Sequence, residues 1–164
     1  MRLELTKRAD YAIRAVLALG EAGPEARLSV RRIAADRAIP AHFLRQVMGD
    51  LVAAGLVDGT QGRAGGYRLV QPTSAISLLD VIEAVEGDSR RRVCVLRGGP
   101  CRLNGVCDVH AVFAAAQDDL LARLAGATVA SVQDRGRERA VLAAGLDVIG
   151  SILVQSADAR DHGP

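Results

Sequence analysis

Apolar positions recur with the 3.6-residue period over several stretches of the chain. From Thr6 to Gly20, Ala9, Ala12, Ile13, Val16, Leu17 and Leu19 mark one helix face, with Thr6 as N-cap and Gly20, then Gly23-Pro24, as the stop. Ser29 caps a short helix carrying Val30, Ile33 and Ala34. A break at Ala38-Ile39-Pro40 leads into a longer helix, Ala41 to Ala54, closed by Gly55. In that helix Phe43, Leu44, Val47, Met48 and Leu51 form the stripe expected to be buried. His42, Arg45, Gln46 and Gly49, at i, i+3, i+4 and i+7, share the opposite face.

Two short strands follow, Leu56-Val57-Asp58 and Tyr67 to Val70. The tip between them holds Gly59, Gly62, Gly65 and Gly66, the mark of a β-hairpin. Ser77, with Asp80 three residues on, starts a helix over Leu78 to Glu86 that Gly87 closes. No period is visible from Asp88 to Cys107, where Gly98-Gly99-Pro100 and Asn104-Gly105 read as loop. A long helix then runs to about Leu124, with Val109, Val112, Phe113, Ala116, Leu120, Leu121 and Leu124 as its apolar stripe. Thr128 caps a short helix through Val132, and a further helix is expected from Arg135 to Val154, before a polar tail.

Two helices, a tight turn and a hairpin, in that order, make a winged helix-turn-helix. The predicted fold is mainly α with a small β-hairpin: a winged helix-turn-helix plus a long dimerisation helix. The expected layout is a DNA-binding domain over 1–72, a connecting helix, cysteine loop and dimerisation helix over 73–133, and an extension over 134–164. A chain of 164 residues this open has little of its own to cover the long helix, so a second copy is the expected cover.

Composition sharpens this picture. Only two Tyr and two Phe occur and no Trp, so the core is aliphatic and an aromatic-lined ring pocket is not expected. No apolar run reaches the ~18 residues that span a bilayer, and the N-terminus has no signal-peptide h-region, which places the protein in the cytoplasm with no membrane partner. Net charge is only +2, yet residues 1–72 carry +4 and residues 73–164 carry −2. A basic excess on the winged segment suits a polyanion.

In a helix-turn-helix the second helix enters the major groove N-terminus first, which would present His42, Arg45 and Gln46. Arg forks onto guanine and Gln onto adenine. Arg63 sits in the glycine-rich tip, suited to a narrow minor groove. Lys7, Arg31 and Arg32 are candidate phosphate contacts. The partner so implied is double-stranded DNA rather than a small-molecule substrate. No substrate-sized set of paired carboxylates is present, and Gly62 to Gly66 precedes a strand rather than a helix, which fails the nucleotide-binding pattern. The chain is therefore not expected to be an enzyme.

All three cysteines lie within fourteen residues, spaced Cys94-x₆-Cys101-x₅-Cys107-x₂-His110. In a reducing compartment such a cluster points to metal or redox chemistry rather than to a disulfide. Structural zinc sites pair cysteines two to four residues apart, closer than any two here. The wider spacing is easier to reconcile with an iron–sulfur cluster held by thiolates. A zinc or thiol-redox site is the alternative.

The segments Leu5-Thr6-Lys7-Arg8-Ala9-Asp10-Tyr11-Ala12, Gly62-Arg63-Ala64-Gly65-Gly66-Tyr67-Arg68-Leu69, Ile76-Ser77 through Val81-Ile82, and the cysteine loop together resemble the winged-helix iron–sulfur regulators of the Rrf2 superfamily, over about residues 1–133. The resemblance implies a homodimer, a two-fold-related operator, and a 2Fe–2S or 4Fe–4S cluster on Cys94, Cys101 and Cys107 that switches operator affinity. His110 matches the fourth ligand of IscR-type members, and Asp10 matches the carboxylate that NsrR-type members supply from the other subunit; this chain has both. Arg45 stands where IscR-type members carry an operator-discriminating glutamate, and Gln61 where the wing often carries Arg. The gap from Cys94 to Cys101 is one residue longer than in IscR- or NsrR-type members.

Overall fold

A computed structural model describes residues 5–62, 65–89 and 108–141. The three cysteines, Arg63 and most of the C-terminal extension lie outside these residues. The elements are α1 (Lys7–Ala22), α2 (Val30–Asp36), α3 (Ala41–Ala53), β1 (Val57–Thr60), β2 (Gly66–Leu69), α4 (Leu78–Glu86) and α5 (Asp108–Gly126). A further helix, α6, covers 129–141. The predicted mainly helical fold with a small hairpin is the observed one. Among the described residues no helix is long and apolar enough to cross a membrane.

Helix ends follow the capping residues. Thr6 accepts from the Ala9 amide at 3.1 Å, and Ser29 from the Arg32 amide at 3.2 Å. At α4, Ser77 and Asp80 form a reciprocal capping box: each side chain accepts from the other's backbone amide. Helix α3 ends with Leu56 N–H on the Leu51 carbonyl (3.1 Å) and Gly55 N–H on that of Val52 (3.0 Å), with Gly55 at φ 74°. That Schellman closure turns the chain straight into β1.

The core is one aliphatic cluster. Helix α1 contributes Ala9, Ala12, Ala15, Val16, Ala18 and Leu19; α3 adds Leu44, Val47, Met48 and Leu51; α4 adds Val81, Ile82 and Val85. Ile33, Ile39, Val57, Ile76 and Val129 close it. The end of α5 is tied beneath the start of α4 by Leu78 N–H on Ala127 O (2.8 Å) and Val129 N–H on Ile76 O (2.9 Å). The residues divide into two compact units between Ala130 and Ser131. Within the second, Arg135 Nε reaches back to the Ser131 carbonyl at 3.2 Å.

Three expectations shift. Helix α1 runs through Gly20 to Ala22 and stops at Gly23, whose φ of 90° suits glycine. The two helices expected either side of residue 133 are continuous over 129–141, since no proline interrupts Val132-Gln133-Asp134-Arg135. Phe43, expected in the core stripe, is 48% exposed. Leu44, Val47, Met48 and Leu51 already fill the buried arc, leaving Phe43 at its edge.

The wing is a two-stranded hairpin with an isolated backbone bridge on its outer side. Strand β1 pairs antiparallel with β2, with Val57 opposite Leu69 and Asp58 opposite Arg68. Leu28 adds a bridge to Tyr67, with both N–H···O contacts at 2.9 Å. This docking demands glycine at 66: its φ is 147°, and a Cβ there would stand 2.9 Å from the Leu28 carbonyl oxygen. Gly66→Ala is therefore expected to cost about 1–3 kcal/mol in chemical denaturation. A variant of unchanged midpoint would mean that the Leu28 bridge does not constrain the fold.

Candidate nucleic-acid interface

Helices α2 and α3 are joined by Arg37 to Pro40. The turn closes through Arg37 N–H on Ile33 O and Ile39 N–H on Ala34 O, each 3.0 Å. Ala38 takes φ 51°, the left-handed conformation a tight reversal needs, and Ile39 drops into the core. Pro40 caps α3 with its carbonyl, which accepts from Leu44 N–H at 3.1 Å. On α3, Leu44, Val47, Met48 and Leu51 are buried while His42, Arg45, Gln46 and Gly49 are exposed. The expected division of the helix into a buried and an exposed face is therefore observed, Phe43 apart.

Helix α1 locks onto that turn through Arg14. Its Nε donates to Asp10 Oδ1 at 3.0 Å, its Nη2 donates to the other Asp10 oxygen, and its Nη1 donates to the Arg37 carbonyl at 3.0 Å. The hydrogen-bonded Asp10 carboxylate pushes the guanidinium pKa further up. Arg14 also lies over the Tyr11 ring, 5.4 Å from its centre.

Ion pairing sorts the basic excess. Arg8 pairs with Asp50 (2.6 Å), Arg14 with Asp10, Arg32 with Asp36 (2.6 Å), Arg37 with Glu21, and both Arg27 (2.6 Å) and Arg68 (3.3 Å) with Asp58. Lys7, Arg31 and Arg45 are exposed and pair with no carboxylate among the described residues. Of the predicted phosphate contacts, Arg32 alone has an acidic neighbour, and a pair that exposed is worth at most about 1 kcal/mol.

Sequence reading missed a groove of about 630 Å³ between α1 and α3, lined by Lys7, Arg8, Tyr11, Phe43, Gln46, Val47 and Asp50. It brings Lys7 of the first helix to Gln46 of the third. The rings of Tyr11 and Phe43 stand 6.3 Å apart, and His42 packs on Phe43 at 4.0 Å. Aromatic scarcity in the composition concealed this, because two of only four such residues meet at one place.

The two candidate fourth ligands differ in their commitments. Asp10 is held by Arg14 through both oxygens. His110, half-buried in the first turn of α5, makes no hydrogen bond or ion pair with any described residue. Just before the cysteine segment, Ser89 N–H donates to Glu83 (3.2 Å), and Gln117 in the middle of α5 donates to the Ser89 carbonyl (3.1 Å), tying α4 to α5.

Comparison with known proteins gives a consistent picture. Residues 5–135 match the Rrf2 family, described as an iron-dependent transcriptional regulator. The HTH-type transcriptional regulator NsrR of Geobacillus kaustophilus is 29% identical over 142 residues, covering 85% of this chain and 97% of that protein. IscR of Escherichia coli is 32% identical over 127 residues, covering 76% and 74%. Among solved structures, CymR (YrzC), the global cysteine regulator of B. subtilis, superposes with a TM-score of 0.69 at 22% identity, over 82% of this chain and 98% of that one. T. potens IscR gives 0.66 at 22% identity, over 84% and 90%. These two likenesses establish the fold.

Arg27 foremost, with Arg68, holds the Asp58 carboxyl below its ordinary pKa, against a smaller opposing effect of burial. The folded value lies below the unfolded one, about 3.9. The stabilisation is therefore complete above that value and disappears as pH falls through the folded pKa. Wild type is expected to hold only a small stability advantage over Asp58→Asn at pH 7 and to lose it on acidification to pH 3, in urea midpoints. An advantage constant across that range would show the carboxylate to be unpaired in solution.

Proposed function

Because this chain belongs to the Rrf2 family of DNA-binding transcriptional regulators, which are not enzymes, we propose that it is a cytoplasmic homodimeric repressor reading a two-fold-related operator. The supporting observation is the exposed row His42, Arg45 and Gln46 on α3, with Arg45 unpaired among the described residues while six other arginines of the winged segment are matched to carboxylates. Arg45 and Gln46 carry the bidentate donor patterns that distinguish guanine and adenine. Lys7, Arg31 and Arg32 supply phosphate contacts, and Arg63 at the wing tip reaches the minor groove.

A second copy is the cover for α5. Val112 is 68% exposed, and Val109 and Phe113 are open beside it, so no described residue buries this apolar face. Pairing through it places two α3 helices on one duplex, as a two-fold operator requires.

Cys94, Cys101 and Cys107 hold an iron–sulfur cluster in this reading. Three thiolates and an imidazole within seventeen residues are a donor set of the right chemistry. The fourth position falls to His110, which is uncommitted among the described residues, rather than to Asp10, which would first have to leave Arg14. When bound, such a cluster supplies a centre responsive to iron supply, nitric oxide or oxidants. Ser89, just before the segment, is tied to α4 through Glu83 and to α5 through Gln117, and α4 packs on α1 and α3. A change in the segment's order shifts DNA affinity only by its differential stabilisation of the two arrangements.

Two experiments bear on this. Arg45→Ala should cost about 1–3 kcal/mol in operator binding and relax sequence preference at one position, whereas Arg31→Ala should weaken all duplexes alike and lower the salt slope by about one. Equal, sequence-blind losses from both would remove α3 from the reading role. In anaerobic native mass spectrometry, Cys101→Ala should lose the iron and sulfide mass, and His110→Ala should bind it weakly while Asp10→Ala retains it. A colourless wild type carrying one zinc would replace the cluster with a zinc site.

A further inference from the structure

The wing is anchored by a single carboxylate. Asp58 of β1 stands opposite Arg68 of β2, and its Oδ2 accepts from Arg68 Nε at 3.3 Å and from Arg27 Nη2 at 2.6 Å. Arg27 belongs to neither strand. It lies in the segment between α1 and α2, and its Nη1 also donates to the Gly66 carbonyl at 3.2 Å. The next residue, Leu28, makes the two-way bridge to Tyr67. Ser29, one further on, caps α2. Three consecutive residues thus join the hairpin to the start of the helix-turn-helix, with Asp58 at the centre of the polar contacts.

We infer that Asp58 is a positioning residue for DNA reading: by gripping Arg27 and Arg68 together it fixes the base of the hairpin against the α2 entry, and so sets where the two strands stand relative to the helix-turn-helix. This rests on the operator-binding reading above. Two strands of four residues are too short to hold an orientation unaided. Two guanidiniums drawn to one carboxylate oxygen hold it, because without the acid they repel each other. The pairs are partly exposed and add little to global stability. Their effect is local and geometric.

Electrostatics alone predicts the opposite sign, which makes the inference testable. Replacing Asp58 by Asn removes a negative charge from a DNA-binding face and should tighten binding to any duplex. A lost wing position should instead weaken binding to the preferred one. The probe is the duplex that wild-type protein enriches from a random-sequence pool. Asp58→Asn is expected to bind that duplex about tenfold more weakly, with Asp58→Glu recovering most of the loss. Amide exchange at Leu28 and Tyr67 should speed up in Asp58→Asn while the amides of α1 keep their protection. Combined with Arg63→Ala the losses should be less than additive, and combined with Arg45→Ala additive.

Unchanged or tighter binding by Asp58→Asn, or full additivity with Arg63→Ala, overturns the inference while leaving operator binding intact. If Asp58→Asn fails to fold, Asp58→Glu and Arg68→Gln carry the exchange measurement, and slow Leu28 exchange in Arg68→Gln overturns it equally. A pool from which wild type enriches nothing overturns the operator reading, and this inference with it.

Discussion

The structure depends on how closely α1 can approach its neighbours. Its buried face is mostly alanine, Ala9, Ala12, Ala15 and Ala18, with Val16 and Leu19 as the larger members. Side-chain size at a helix contact sets the interaxial distance, so this face lets α3 and α4 pack against one helix at short range. From that position the N-terminal turns of α1 stand beside α3, bringing Lys7 to Gln46 in one groove. Arg14 reaches the carbonyl at the end of α2. A bulkier side chain at Ala12 or Ala15 would overfill this buried face and force the helices packed on it to shift.

Charge pairing then performs a second selection. Eleven basic residues in the first 72 meet seven acids, and the folded arrangement assigns most of those acids to arginines that join elements: Arg8 to α3, Arg14 within α1 and onto the turn, Arg37 back to α1, and Arg27 and Arg68 to β1. The joining arginines are structural, and the cations left over among the described residues are surface ones. A basic excess read from sequence is a sum over both kinds; only the fold separates them.

Much of the helical framework was legible because its signals are local. Thr6, Ser29 and the Ser77–Asp80 pair are caps whose partners lie three residues away, and Gly55 marks a helix end that its neighbours close. The face of α3 carrying His42, Arg45 and Gln46 followed from period alone. What escaped was non-local. The meeting of Arg27 with Asp58 spans thirty-one positions, and that of Tyr11 with Phe43 joins α1 to α3 past the whole of α2. Phe43 was misplaced because a hydrophobicity pattern counts an aromatic ring as core, although the buried arc was already full. The cysteine loop carries no periodic signal, so its reading came from spacing and donor chemistry.

A polyanion-binding protein with few free cations must obtain its selectivity from geometry. Each phosphate neutralised contributes to affinity without regard to sequence, and the described residues of one winged unit offer only Lys7, Arg31 and Arg45 as unpaired cations in that region. In the dimer we propose, that sparse set doubles, and its weight depends on the separation and tilt of two α3 helices and two wings. Small changes at the α4–α5 junction or at the hairpin base then alter affinity more than a strongly basic surface would permit. For the switch we propose, a sparse set of unpaired cations among the described residues is the counterpart of switchable binding: where non-specific attraction is weak, position decides whether a protein stays on its site.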